Sequence, residues 1–175
     1  MIRPSHKKIE SLQDIEQLHN QLKAAQQDFD VRILICMTGC RALGAKSVAE
    51  AFREKLQAAS LKKPVAVVET GCIGMCARAP VVLIEPYDYL YGGVTPEDVV
   101  EIISTTIKNG KPVEHLAVTQ KGQPTAFIKD IDFYKKQKRL VLKNCGRIDP
   151  TRIEDAIATG TYISAVKSIT DKDSQ

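Results

Sequence analysis

Apolar residues recur at helical spacing near the start of the chain. Ile9, Leu12, Ile15, Leu18 and Leu22 stand three or four apart among Lys, Glu, Gln and Asp, which predicts an amphipathic helix over residues 7–29. The pattern then changes. Val31-Arg32-Ile33-Leu34-Ile35 is a short β-branched run that suits a largely buried strand. Ser47 is placed to cap a helix through Ser60, with Val48, Phe52 and Leu56 four apart on one face. Val65–Val68, Val81–Ile84 and Tyr89–Tyr91 read as three more strands, punctuated by Pro64, Pro86 and Gly92-Gly93. Thr95-Pro96-Glu97-Asp98 is a helix start, with Thr as cap and Pro in the first turn. Val99, Val100, Ile103 and Ile107 supply that helix with a buried stripe, and Asn109-Gly110 stops it. The order over residues 31–110 is β-α-β-β-β-α behind a leading helix. That order predicts an α/β domain, a small mixed sheet with helices packed on it.

Beyond this the texture shifts. Residues 111–124 are rich in Lys, Pro, Gly and Gln and read as a linker. Residues 125–175 form a separate segment: a strand-like Arg139-Leu140-Val141-Leu142, then a helix from Asp149-Pro150 that buries Ile153 and Ile157. Gly160 breaks it, Tyr162, Ile163, Val166 and Ile169 make a further short helix, and the tail from Thr170 to Gln175 is expected to fray. About fifty residues of this kind are too few to bury a core of their own.

The chain has 175 residues, 43% of them apolar and 26% charged, and 25 Lys and Arg against 21 Asp and Glu leave a net charge of +4. Such a balance excludes an intrinsically disordered chain and a dedicated nucleic-acid binder. No apolar run approaches the roughly 20 residues of a membrane span, and Met1–Gln13 has no apolar core of a secretory signal. A cytoplasmic location is expected. Trp is absent, and five cysteines are the unusual feature. An odd number without an export signal points away from a disulfide framework, towards metal or redox chemistry.

Four of them form two pairs. Cys36 and Cys40 follow the first predicted strand, and Cys72 and Cys76 follow the second, each pair with three residues between its members. If those strands are parallel neighbours, both loops leave the sheet at one end and the four sulfurs converge. An iron–sulfur cluster needs such fixed thiolates, one close pair per iron in a two-iron centre. Gly39, Gly71 and Gly74 are suited to positive φ and close backbone approach, neither loop contains an acid, and Arg41 and Arg78 follow closely. Zinc also takes four thiolates, though its knuckles usually have two intervening residues. A redox dithiol more often shows Cys-x-x-Cys at a helix start, and inert thiols or disulfides are the remaining readings. Cys145 stands alone and reads as a small buried hydrophobe. His6, His19 and His115 read as exposed and are assigned no role. Gly39–Ala45 lacks the Lys of a phosphate-binding loop.

Three blocks carry a resemblance: Ile35–Ala45 around the first cysteine pair, Glu69–Pro80 around the second, and Tyr91–Asp98. They resemble the thioredoxin-like [2Fe–2S] ferredoxins, a domain found in NADH dehydrogenases and at the start of the flavin-carrying subunit of NAD-linked hydrogenases and formate dehydrogenases. Gln137–Pro150 and Ile153–Tyr162 look like the lead-in to the flavin domain of those subunits. The first cysteine pair is one residue shorter than is usual in the family.

The resemblance implies a thioredoxin-like ferredoxin fold over residues 30–118, an N-terminal helix over 1–29, and a linker and docking arm over 119–175. It implies Cys36, Cys40, Cys72 and Cys76 as ligands of a [2Fe–2S] cluster. The implied function is a one-electron relay in an NAD(P)H-linked oxidoreductase. The implied partners are a flavin/NADH-binding subunit and further iron–sulfur or hydrogenase-type subunits. The sequence stops at Gln175 before any Gly-rich flavin or nicotinamide site, so no autonomous catalytic site is expected. The alternatives are a zinc-stabilised or metal-free binding module and a truncated flavoprotein subunit.

Overall fold

The computed structural model describes residues 8–61 and 63–171. His6 and the end of the tail, where fraying was expected, lie outside them. The chain divides into two compact units, one of Asp30–Asp149 and one that joins the N-terminal segment through Phe29 to the segment from Pro150.

The larger unit is built on a four-stranded mixed sheet: β1 (Val31–Cys36), β2 (Val65–Thr70), β3 (Val81–Glu85) and β4 (Tyr89–Gly92). Their spatial order is β2-β1-β3-β4. β1 and β2 run parallel, with α2 (Ala45–Ala58) as the crossover, and β3 and β4 are antiparallel neighbours. Alternation along β1 puts Ile33 and Ile35 on one face, and α2 packs on β1 and β2 with Phe52 fully buried. Helix α2 begins two residues before Ser47, because Gly44 takes the left-handed conformation (φ +96°) and turns the chain directly into it.

The next helix is one continuous segment of changing pitch: a 3-10 turn over Pro96–Asp98, α3 (Val99–Glu101), then a π-helical stretch over Ile102–Ile107. Thr95 caps it, as the sequence predicts, and Asp98 completes a capping box by accepting from the Thr95 N–H. Val99, Ile102, Ile103, Thr106 and Ile107 are buried at ordinary helical spacing, so Val100, which lies off that stripe, is exposed.

Residues 111–124 are not a linker. Lys111 and Val113 are tied down by a buried chain of donations: Val113 N–H to the Tyr91 hydroxyl (3.1 Å), Tyr91 to Thr106 Oγ1 (2.7 Å), and Thr106 to the Lys111 carbonyl (2.9 Å). A small hairpin follows, β5 (Val118–Gln120) and β6 (Gln123–Thr125), with Leu116, Ala117 and Val118 buried. Single bridges join Tyr91 to Ala117 and Tyr89 to Phe127. The chain then passes through α4 (Asp132–Lys135). The predicted strand at Arg139–Leu142 does not form: it finds no partner strand, and Leu140, Val141 and Leu142 are exposed in a turn. The contacts divide the chain after Asp149 rather than between residues 118 and 119.

In the smaller unit, α1 (Leu12–Gln27) starts later than residue 7, because Ser11 and Asp14 form a capping box that leaves Ile9 outside. The apolar stripe of α1, Ile15 and Leu22 above all, packs with Ile157 and Ala158 of α5 (Ile153–Ala158). Ile163 and Val166 of α6 (Ile163–Thr170) join them. Thus α1 supplies the core these two short helices lack. His19 is half-buried rather than exposed, its Nδ1 2.8 Å from the Ile157 carbonyl, and Ile153 is exposed. His115 is exposed, as expected, near Asp98 and Glu101.

Candidate metal centre

The parallel pairing of β1 and β2 runs in register from Val31 opposite Val65 to Cys36 opposite Thr70, and the Met37 N–H continues it by donating to the Thr70 carbonyl (2.9 Å). Both chains therefore leave the sheet side by side. After Cys36 the first loop turns through a 3-10 segment, Gly39–Leu43, which buries Cys40. After Thr70 the second loop carries Cys72, buries Ile73, and enters a 3-10 turn at Cys76–Arg78.

All four thiols are free. Within each pair the thiols bear on one another's ionisation, Cys36 with Cys40 and Cys72 on Cys76. The pairs also act on one another, since the charges of Cys36 and Cys76 bear on each other's neighbourhood. Burial works to raise the Cys36 pKa. Hydrogen bonds from the Thr38 hydroxyl (3.5 Å), the Ile73 backbone and the Cys40 thiol outweigh it and hold that pKa below the usual value. Cys40 is pushed up to about 11, by burial first and then by its bond to Cys36. The charge of Cys72 raises exposed Cys76.

Among the described residues, no three His, Cys, Asp or Glu side chains are set to share a single metal ion. A two-iron cluster makes a different demand, one close pair of thiolates on each iron. Two pairs of free thiols, one pair from each loop at the same end of the sheet, fit that donor set.

Other details differ from expectation. Of Gly39, Gly71 and Gly74, only Gly74 has positive φ (+104°). Gly92 of β4 is needed for close approach: a Cβ there would lie 2.7 Å from Arg78 Cβ and 2.9 Å from the Arg78 carbonyl. Arg41 and Arg78 are exposed, and Cys145 is half-buried. Sequence reasoning passed over Tyr134 and Arg139. The Tyr134 hydroxyl (3.2 Å) and Arg139 Nη2 (2.8 Å) both donate to the Ile73 carbonyl. The one local signal for them is a Phe-Tyr pair ahead of a dense basic run, Phe133–Arg139.

A mixed sheet with helices packed on it, offering two pairs of thiols from adjacent strand ends, is an α/β scaffold with the donor set of a sulfur-ligated centre. The thioredoxin-like [2Fe–2S] ferredoxin family matches residues 13–107. A 2Fe–2S ferredoxin of Aquifex aeolicus (strain VF5) is 41% identical over 86 residues, covering 49% of this chain and 77% of that protein. One from Clostridium pasteurianum is 37% identical over 79 residues, covering 45% and 78%. The solved structure of a thioredoxin-like [2Fe–2S] ferredoxin from Aquifex aeolicus matches with a TM-score of 0.48 at 33% identity, over 55% of this chain and 97% of that one. The chain belongs to the thioredoxin-like [2Fe–2S] ferredoxin family, whose cofactor is a [2Fe–2S] cluster and whose work is electron transfer. Among the described residues, no helix is long and apolar enough to cross a membrane.

Proposed function

We propose that Cys36, Cys40, Cys72 and Cys76 hold a [2Fe–2S] cluster and that the chain is a one-electron relay of an NAD(P)H-linked oxidoreductase in the cytoplasm. The observation that carries the reading is the parallel pairing of β1 and β2, which brings the two free-thiol loops out at one end of the sheet. The bound cluster supplies storage of a single electron without any bond being made or broken in the protein. The chain's own residues do the rest. Ile73 and Thr38 place donors at the Cys36 sulfur, which favours the thiolate. Buried Cys40 and Ile73 keep water from one side of the site.

The partners in this reading are a flavin/NADH-binding subunit and a further iron–sulfur or hydrogenase-type subunit. Supporting it is the exposed run Leu140-Val141-Leu142, with Val141 95% exposed, between the solvated cations of Lys136, Lys138 and Lys143. Such a surface fits an apolar seat rimmed by carboxylates.

The test is anaerobic mixing of the cluster-loaded chain with an NADH-reduced flavin subunit of this type. Bleaching of the cluster's visible absorbance by one electron per chain, slowed at least several-fold in Val141→Asp, supports the relay. No electron uptake from that subunit, with ready reduction by dithionite, removes the NADH context and leaves the ferredoxin.

A further inference from the structure

The segment from Asp132 to Gly146 lies on the second cysteine loop, and its contacts converge on one residue. Ile73 sits between Cys72 and Gly74 and is buried. Its carbonyl accepts from both Arg139 Nη2 (2.8 Å) and the Tyr134 hydroxyl (3.2 Å), which occupies both lone pairs of that oxygen. Its backbone also serves as a hydrogen-bond partner of the Cys36 thiol in the other pair. Arg139 Nη1 reaches the Cys145 carbonyl (3.4 Å) and Nε reaches Gln137 Oε1 (3.2 Å), with the guanidinium 5.3 Å from the centre of the Tyr134 ring. These partners are all neutral, so the positive charge is left uncompensated by them. Gly146 completes the contact: a Cβ there would come within 2.9 Å of Ile73 Cγ1. Tyr134 and Arg139 thereby hold the carbonyl of the residue that directly follows Cys72.

We propose that Arg139, acting through the Ile73 carbonyl with Tyr134, is a positioning residue of the metal centre that fixes the second cysteine loop and raises the centre's one-electron potential. The inference rests on the cluster reading above. A rigid, planar guanidinium holds two carbonyls in one fixed fork, where an ammonium is a point charge with rotatable donors on a flexible stem. Its charge favours the more negative, reduced state of a sulfur-ligated centre, and its grip on Ile73 holds a donor against the Cys36 sulfur.

The experiment compares the whole cluster-loaded chain with Arg139→Gln, Arg139→Lys and Tyr134→Phe by mediated redox titration and electron paramagnetic resonance under argon. At equal iron and sulfide content, Arg139→Gln is expected to shift the equilibrium about tenfold towards the oxidised form, or about 59 mV for one electron. Arg139→Lys should recover part of that shift and Tyr134→Phe should fall between. Wild-type potential and spectrum in Arg139→Gln would overturn the proposal.

Backbone amide exchange of the metal-free proteins is the second readout. Exchange across Cys72–Cys76 should rise several-fold in Arg139→Gln while the amides of α2 stay unchanged. Equal exchange in both proteins overturns the loop-fixing role even if the variant takes up no iron. Should the wild-type chain itself take up no iron and sulfide, the cluster reading falls, and the potential-setting role with it; the loop-fixing role is then decided by exchange.

Discussion

Cys36 lies directly opposite Thr70 in the parallel pairing of β1 and β2. That pairing brings two loops, separated by 31 residues between Cys40 and Cys72, to the same end of one sheet. Thr70 is itself buried and donates through Oγ1 to the Ile148 carbonyl (2.8 Å), which ties the later chain to the same place. Each single Ser substitution of Cys36, Cys40, Cys72 or Cys76 should lower iron and inorganic sulfide together and bleach the visible absorbance. Cys145→Ser should leave both unchanged. Metal and sulfide analysis of anaerobically purified variants checks this.

Gly92 tests the backing of the second loop. With Arg78 backbone and Cβ within 3 Å of any added methyl, Gly92→Ala forces the turn after Cys76 to move. Lower stability by about 1–3 kcal/mol is expected. A changed paramagnetic spectrum should accompany it, whereas Gly122→Ala, on the distant hairpin turn, should lower stability without altering the spectrum.

Phe52 of α2 is fully buried against the sheet. Truncation leaves a cavity that close-packed β-branched neighbours cannot fill. Phe52→Ala should cost about 3–5 kcal/mol in urea denaturation of the metal-free chain.

The Tyr91 hydroxyl sits mid-chain in the relay from Val113 N–H to the Lys111 carbonyl. Its removal leaves a buried amide without an acceptor. Tyr91→Phe should cost about 1–3 kcal/mol, and amide exchange should show residues 111–118 opening before the sheet does.

Alkaline pH separates Tyr134 from the rest. Burial, above all, pushes its pKa up to about 12 from 10, so the fold favours the neutral phenol. The unfolded chain releases that proton first as pH rises. The contribution of Tyr134 is thus fully present below about pH 10 and is lost on the way to about 12. Denaturation of the metal-free, reduced chain at pH 9 and pH 11 should show a smaller loss in Tyr134→Phe than in wild type.

The strands, the crossover and the thiol pairs were legible because each is written locally: Val31–Ile35 and Val65–Val68 have β-branched runs, and both cysteine pairs directly follow them. Parallel pairing then does the rest. What was hidden depends on contacts distant in sequence. Residues 111–124 look like a linker by composition, yet Tyr91 and Thr106 hold their start from two other elements. Arg139–Leu142 has the β-branched texture of a strand, but a strand needs a neighbour, and here Arg139 instead turns onto Ile73. Helix α1 shows its apolar stripe plainly, while nothing local says that Ile157 and Ala158 are what it covers.

The central claim is most directly tested by anaerobic purification of the native chain with iron, zinc and sulfide analysis and low-temperature paramagnetic resonance after reduction. The account predicts a coloured protein with iron and sulfide in the proportions of one [2Fe–2S] cluster per chain and a one-electron signal on reduction. A colourless chain with stoichiometric zinc and no sulfide would contradict it.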